Sequence, residues 1–151
     1  MRGGEPRRKP CASFVRPAAY YRRMITRIQS VTIYVSDQDR AKAFYTQKLG
    51  FAERLDAPMG PDSRWVELAP GKGDTSLVLA KPNEAMPGYE LVKSMIGTWA
   101  TFIFAVDDMN ATYEELSGRG VEFQDPPSQQ PWGWWATIKD PDGNTIGLHS
   151  D

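Results

Sequence analysis

Four short motifs in the first half of the chain recur in the same order in the second half, about 70 residues later. The pairs are Val35-Ser36-Asp37 with Val106-Asp107-Asp108, Gly50-Phe51 with Gly120-Val121, Trp65 with Trp135, and Gly73-Asp74-Thr75 with Gly143-Asn144-Thr145, at offsets of 71, 70, 70 and 70. A single match carries little weight, but the shared order and spacing indicate a duplicated module of about 60 to 70 residues. The chain is therefore constrained to fold as two copies of one small unit.

Each copy predicts a strand, a helix and then three more strands. Residues 29–35 alternate between polar and apolar side chains and are rich in β-branched residues, as in a half-buried strand. Ser36 then offers an N-cap hydroxyl, Asp37 and Asp39 favour the positive end of a helix, and Gly50 ends it. The second copy repeats this pattern from a strand at 101–106. Later strands are predicted at 51–55, 65–69, 76–81, 121–124, 134–139 and 145–150.

The length of 151 residues suits one globular domain. We assign it to residues 25–151, with modules at about 25–81 and 98–151 and a linker at 82–97 that contains two prolines and two glycines. Residues 1–24 hold seven basic side chains and one acid, a charge of +6, and are predicted to form a mobile basic tail. The open interpretations of the tail are a transit peptide, a nucleic-acid-binding arm or an extension upstream of a start at Met24.

Composition limits the chemistry and the partners. The chain has one cysteine, Cys11, and one histidine, His149, which disfavours a disulfide framework, a multi-histidine metal site and a Cys/His catalytic pair. Residues 25–151 carry 11 basic and 18 acidic side chains, a charge of −7, which argues against nucleic acid as the main partner. The basic segment lacks an apolar run long enough for a signal peptide or a membrane span. We expect a cytoplasmic protein without a membrane partner.

The motifs together resemble the vicinal oxygen chelate superfamily, which includes glyoxalases, bleomycin-resistance proteins and extradiol dioxygenases. The resemblance covers residues 25–151. The motifs that carry it are Val35-Ser36-Asp37, Phe44-Tyr45, Leu49-Gly50-Phe51, Val106-Asp107-Asp108, Gly120-Val121 and Asp140-Pro141-Asp142-Gly143-Asn144. It implies an α+β fold of two βαβββ repeats whose curved mixed sheets enclose a pocket, and usually a homodimer. It does not by itself define a reaction.

Strand alternation predicts which side chains face that pocket. Val31, Ile33 and Val35 suit the helix-packed face of the first strand, as Phe102, Phe104 and Val106 do in its repeat. The predicted ligand-binding residues on the other face are Ser30, Thr32, Tyr34, Trp65, Trp99, Thr101, Trp135 and Thr137. The three tryptophans offer flat apolar surface for an aromatic or planar compound. The alternative is that they fill a core or a dimer interface. Trp134, which alternation opposes to Trp135, is expected on the outer face or in an interface.

The resemblance also implies where a metal ligand would lie, on the first and last strands of each module. Alignment on the motifs places these positions at Ser30, Leu77, Thr101 and Gly147. Leucine and glycine side chains cannot coordinate a metal, and neutral hydroxyls are weak ligands for a divalent ion. We therefore expect no metal and no other cofactor.

Glu67 and His149 are the candidate catalytic residues. Glu67, beside Trp65, is either a base with a raised pKa or an ion-pair partner of Arg54 or Arg64. His149 is either a general acid or base or a structural side chain. Three functions remain open: a metal-free protein that sequesters a planar small molecule, a metal-independent lyase or isomerase that uses Glu67 or His149, and a metal-dependent enzyme, which the ligand positions disfavour.

Overall fold

The computed structural model describes residues 25–71 and 73–151, so the predicted basic tail at 1–24 lies outside the described residues. The first module contains β1 (Ser30–Tyr34), α1 (Gln38–Ala43) with a π-helical continuation over Phe44–Lys48, β2 (Ala52–Gly60), β3 (Ser63–Ala69) and β4 (Ser76–Ala80). After α2 (Tyr89–Ser94), the second module contains β5 (Trp99–Ala105), α3 (Met109–Gly118), β6 (Glu122–Gln130), β7 (Gly133–Lys139) and β8 (Thr145–Ser150). The predicted order of elements in the two repeats is confirmed.

The two modules form separate four-stranded mixed sheets with the same topology. The strand orders are β1-β4-β3-β2 and β5-β8-β7-β6. In each sheet the first strand pairs in parallel with the last, and the remaining pairs are antiparallel. The helix that follows the first strand of each module provides the crossover that a parallel pair requires. The predicted α+β fold of two βαβββ repeats is therefore confirmed.

Both module helices begin at an aspartate. The Asp37 carboxylate accepts from the backbone N–H of Arg40 at 2.9 Å, and Asp108 accepts from that of Ala111 at 2.9 Å. An aspartate at this position satisfies a free N–H group and places negative charge at the positive helix end. The prediction of Ser36 as the N-cap was wrong by one residue, because the Ser36 side chain is engaged elsewhere.

Strand alternation separates a core face from an open face in each sheet. In β1, Ile33 is 4% exposed and Thr32 is exposed; in β5, Phe102 packs against the core and Ile103 is 55% exposed. Tyr45 in the π-helical turn is fully buried. We call the side of each sheet turned away from this core the open face; it carries the side chains predicted to face a pocket.

The edge strands β2 and β6 each span nine residues, which is longer than predicted. Pro58, Pro126 and Pro127 lie in these strands. Proline lacks the N–H of a central strand but is tolerated at a sheet edge, so these prolines do not end the strands. The linker at 82–97 contains α2, which the sequence analysis did not predict.

A network of buried carboxylates joins the two modules. Asp142 accepts from the Ser36 backbone N–H at 2.9 Å, from the Ser36 hydroxyl at 2.5 Å and from the Arg40 guanidinium at 2.5 Å, and its side chain is 5% exposed. Nearby, the Tyr45 hydroxyl donates to Asp140 at 3.1 Å. The Asp-Pro-Asp-Gly-Asn segment therefore fixes the second module to the first.

Among the described residues, no helix has the length and apolar composition needed to cross a membrane.

Candidate functional site

Three tryptophans cluster on the open face of the second sheet. The rings of Trp99 and Trp135 are stacked, with centroids 6.2 Å apart and planes 12° apart. Trp132 meets Trp135 edge-on at 5.4 Å. Trp99 and Trp132 are 52% and 56% exposed. The cluster is thus an ordered aromatic surface that the fold leaves accessible, and we call these three residues the tryptophan cluster.

Gly147 provides the space for the ring of Trp135. A Cβ atom at position 147 would lie 2.3 Å from Cη2 of Trp135, which is far inside van der Waals contact. Gly147 and Thr137 are direct partners in the β7–β8 pairing, and Thr137 is 9% exposed. The lack of a side chain at position 147 therefore allows the indole to lie flat on the sheet.

His149 contacts the turn that carries Trp132. Its Nε2 lies 3.0 Å from the carbonyl oxygen of Trp132, and the two rings stack at 5.8 Å. Gly133 follows Trp132, and a Cβ there would lie 2.8 Å from the same Nε2. The predicted candidate His149 is therefore brought into direct contact with the tryptophan cluster.

Glu67 lies on the open face of the first sheet, where its carboxylate accepts from the Trp65 indole N–H at 3.1 Å. A hydrogen bond from Ser76, the one from Trp65 and the positive charge of Arg54 lower the pKa of Glu67. The Arg54 guanidinium donates to Ser76 at 2.7 Å. Arg64 instead binds Asp39 and Asp56, each at 2.6 Å. The pKa of Glu67 is thus shifted in the direction opposite to that of a base with a raised pKa.

The remaining predicted binding residues line the junction of β1 and β5. Thr32, Tyr34, Trp99 and Thr101 surround a cavity of about 30 Å³, enough for a water molecule. Ser30 lies half-buried at the start of β1. Among the described residues, neither an aromatic contact nor a hydrogen bond joins Trp65 and Glu67 to the tryptophan cluster. Trp65 and Glu67 are therefore separate from the tryptophan cluster, whereas Thr32, Tyr34, Trp99 and Thr101 meet where the two sheets adjoin.

Two predicted orientations need correction. Leu77 was predicted at a pocket-facing metal position, but it is fully buried on the core face. Val66 pairs with Leu79 in the first sheet, and its repeat equivalent Ala136 pairs with Leu148 in the second. Residues of β4 and β8 therefore correspond at an offset of 69, not 70, which moves Leu77 to the other face. Val78 takes the pocket-facing position. Trp134 was expected on the outside or in an interface, but it packs against the hydrophobic core.

The residues at the implied metal positions do not fit a metal ion. The corrected set on the open faces is Ser30, Val78, Thr101 and Gly147. Two of them offer only neutral hydroxyls, two offer no donor, and the space above Gly147 is filled by the Trp135 ring. Across residues 25–71 and 73–151, no three His, Cys, Asp or Glu side chains are grouped so as to hold an ion.

A groove of about 1020 Å³ lies between the modules on the helix side, away from the tryptophans. Its floor is apolar and includes Phe51, Phe104 and Leu148. Asp107 and Gly73 line its rim. Their equivalents in the other module are Ser36 and Gly143, which lie where Asp142 joins the two modules. The groove is therefore the open counterpart of that junction, and the sequence analysis did not predict it.

Paired βαβββ modules with an aromatic open face define a class of small globular proteins that includes both enzymes and binding proteins. The sequence-family model of the Glyoxalase/Bleomycin resistance protein/Dioxygenase superfamily matches residues 27–148 of the chain. The chain therefore belongs to this superfamily. The resemblance inferred from the repeat motifs is thereby confirmed.

Similar proteins are found in bacteria. The chain is 42% identical over 125 residues to the uncharacterized protein YetH of Bacillus subtilis (strain 168), covering 83% of this chain and 98% of YetH. Among solved structures, it is similar to TnmS3, an antibiotic binding protein from Streptomyces sp. CB03234, with 38% identity, a TM-score of 0.69 and coverage of 83% and 96% of the two chains. It is also similar to UcmS2, with 35% identity, a TM-score of 0.71 and coverage of 85% and 100%.

Proposed function

We propose that the chain is a metal-free, small-molecule-binding protein that sequesters an aromatic or planar compound. The observation that carries this proposal is the tryptophan cluster, in which Trp99 and Trp132 are about half exposed although each is held in contact with Trp135. Large aromatic rings left accessible on an ordered surface are typical of ligand-binding sites, because a planar ligand buries apolar area against them.

The likeness to TnmS3 supports binding as the general class of function. TnmS3 is described as an antibiotic binding protein, and it shares 38% of aligned residues with this chain. Stacking surfaces accept many ring systems, so the proposed ligand is a class of planar aromatic compounds and not one compound.

The alternative function, a metal-independent lyase or isomerase, receives less support from the candidate acid–base groups. The lowered pKa of Glu67 makes this carboxylate a weaker base than a free glutamate. The Nε2 atom of His149 is engaged with the Trp132 carbonyl group. Glu67 therefore lacks the environment that raises a carboxyl pKa, and the Nε2 atom of His149 is not free to exchange a proton with a ligand.

We further propose that the protein acts as a cytoplasmic homodimer. The open faces carry exposed apolar side chains besides the tryptophans, including Leu55 at 47% and Ile103 at 55% exposure. Trp65 and Trp135 lie on different sheets, so a second copy that covers these faces would enclose a ligand from both sides. Large apolar side chains left exposed on ordered sheet faces support this proposal, because a partner can bury them.

A binding screen tests the proposed function. The probes are planar aromatic compounds that differ in charge: cationic 9-aminoacridine, neutral riboflavin and anionic naphthalene-2-sulfonate. We expect at least one to quench tryptophan fluorescence saturably and to raise the melting temperature, with a stabilisation of about 2.7 kcal/mol at a hundredfold excess over Kd. Failure of all three, or chemical conversion of a bound probe, would contradict a pure binding function.

A further inference from the structure

Each candidate acid–base residue contacts a tryptophan of its own sheet. Glu67 Oε2 accepts from the Trp65 indole N–H at 3.1 Å, and His149 Nε2 lies 3.0 Å from the Trp132 carbonyl oxygen. Glu67 is on β3 of the first module and His149 on β8 of the second. On each open face a polar side chain thus contacts a tryptophan, through the indole N–H on the first sheet and through the backbone carbonyl group and the ring on the second.

The Glu67 carboxylate lies beside Ser76 and Arg54. Ser76 is 1% exposed and its hydroxyl accepts from Arg54 at 2.7 Å, and both residues lower the pKa of Glu67. The acceptor for the Trp65 indole is therefore a charged carboxylate, and rotation of the indole would break a hydrogen bond to a charged group, which is stronger than a neutral one. Trp65 is thus restrained although it lies on the open face.

His149 ties the β6–β7 turn to β8. A carbonyl oxygen only accepts, so His149 Nε2 donates to Trp132 and carries the proton. The imidazole also stacks on the indole of Trp132, at 5.8 Å and 29°. Because Gly133 has no side chain, the imidazole can approach the turn. Trp132 is therefore held by both its backbone and its ring.

We propose that Glu67 and His149 are positioning residues, and that they hold Trp65 on the first sheet and Trp132 on the second in the orientations that receive a planar ligand. The inference rests on the proposed function. Ordering a free side chain on binding reduces affinity, and holding it in advance removes that loss, which corresponds to about three- to tenfold in Kd for one side chain.

Fluorine NMR of the full chain labelled with 5-fluorotryptophan tests this inference without a ligand. The chain has five tryptophans, so five resonances can be assigned with single Trp→Phe variants. Glu67→Leu removes the acceptor and should shift the Trp65 resonance, whereas Glu67→Gln keeps an acceptor and should leave it near its original position. His149→Phe keeps a ring but loses the donor and should shift Trp132, whereas His149→Gln keeps an N–H donor.

Two controls separate positioning from general damage. Glu122→Leu removes an exposed carboxylate that pairs with Lys139, and it should leave the Trp65 and Trp132 resonances in place. The resonance of Trp134, on the core face, reports whether each variant folds. If Glu67→Leu perturbs Trp134, Ser76→Ala provides a second test, because it removes a hydroxyl that lowers the pKa of Glu67 without adding a large apolar side chain.

Binding of 9-aminoacridine, or of whichever of the three probes the parent protein binds, gives the functional readout. Glu67→Leu and His149→Phe should weaken binding about three- to tenfold, and the two Gln variants should bind like the parent. Unchanged Trp65 and Trp132 resonances in the Leu and Phe variants would overturn the inference, as would Gln variants that bind no better than the Leu and Phe variants. Absence of probe binding by the parent would refute the proposed function, while the NMR comparison would still decide whether the two residues position tryptophans.

Discussion

The ring of Trp135 lies so close to Gly147 that a Cβ atom at position 147 would be 2.3 Å from Cη2 and 2.6 Å from Cζ2 of the indole. Gly147 does not have the positive φ for which a glycine is often retained. The close approach of the indole is therefore the structural reason for a glycine at this position. In the first module, the corresponding pocket-facing position is Val78.

Gly147→Ala should displace the Trp135 ring and destabilise the fold by about 1–3 kcal/mol, because the added methyl group overpacks a well-ordered contact. Urea unfolding measures the cost, and near-UV circular dichroism reports the indole. Gly118→Ala is the matched control, since nothing lies within 4 Å of its added Cβ and alanine favours a helix. Equal stability of the two variants would contradict the close contact at Gly147.

The sequence was sufficient to predict the repeat, the element order and the two faces of β1 and β5. These features depend on local patterns: alternation places Ile33 inside and Thr32 outside, and the structure confirms both. The offset of 70 residues failed in β4. The second module has one residue fewer than the first between the Gly143-Asn144-Thr145 motif and the paired residues of its last strand. A shift of one residue turns a strand over, which is why Leu77 faces the core.

Alternation places Glu67 beside Trp65, but the position of Arg54 and the contact of His149 could not be predicted from strand patterns. Arg54 lies at a register shift in β2, between Glu53 and Leu55, and such a bulge changes the direction of a side chain without a clear signal in the sequence. The contact between His149 and Trp132 depends on how the β6–β7 turn folds against β8. Both arrangements arise from tertiary structure and not from local pattern.

Replacing a tryptophan of the open faces should weaken ligand binding. Trp99→Leu and Trp135→Leu remove stacking area and should each cost roughly 1–2 kcal/mol of binding free energy for a planar probe. Trp65→Leu tests the first sheet in the same way. Titration of tryptophan fluorescence, or calorimetry where fluorescence is lost, measures affinity.

Trp134→Phe is the control for these variants. Trp134 packs against the core on the opposite face of β7 from Trp135, so its replacement should reduce the melting temperature and leave probe affinity near that of the parent. If Trp65→Leu, Trp99→Leu and Trp135→Leu all bind like the parent, the three residues serve core or interface packing and the aromatic site is refuted.

The protein purified without chelators should contain no stoichiometric metal ion. Ser30, Val78, Thr101 and Gly147 supply no strong ligand at the positions that the family resemblance implies. Elemental analysis and thermal melts with added zinc, nickel, manganese or iron measure occupancy and specific stabilisation. One tightly held ion per subunit would show that other side chains form a site and that the metal-free proposal is wrong.

Loss of the Asp142 carboxylate should weaken the attachment of the two modules. Asp142 accepts two hydrogen bonds from Ser36 and one from Arg40, at 2.5–2.9 Å, and its side chain is 5% exposed. Asp142→Ala should therefore cost about 2–3 kcal/mol in urea unfolding. Glu115→Ala breaks an exposed pair with Arg119 on one helix and should cost only about 0.5 kcal/mol. Similar costs for the two variants would contradict this role of Asp142.

The burial of Asp140 should make stability depend on pH. Burial raises the pKa of Asp140 above its value in the unfolded chain, and the hydrogen bond from the Tyr45 hydroxyl partly opposes that rise. A raised pKa in the folded state means that the contribution of Asp140 to stability is present at low pH and is lost as pH rises through the folded pKa.

Tyr45→Phe removes the opposing hydrogen bond, so it should raise the pKa of Asp140 further and make the loss on ionisation larger. We expect the variant to be less stable than the parent by about 1–2 kcal/mol at about pH 7, and by a smaller amount at about pH 4, where more of Asp140 is protonated. Urea unfolding at both pH values measures the difference. Tyr113→Phe, in a half-buried ring that packs edge-on against Phe123, should cost the same at both pH values. A Tyr45→Phe cost that is independent of pH, or larger at acidic pH, would show that the hydroxyl does not stabilise the ionised carboxylate of Asp140.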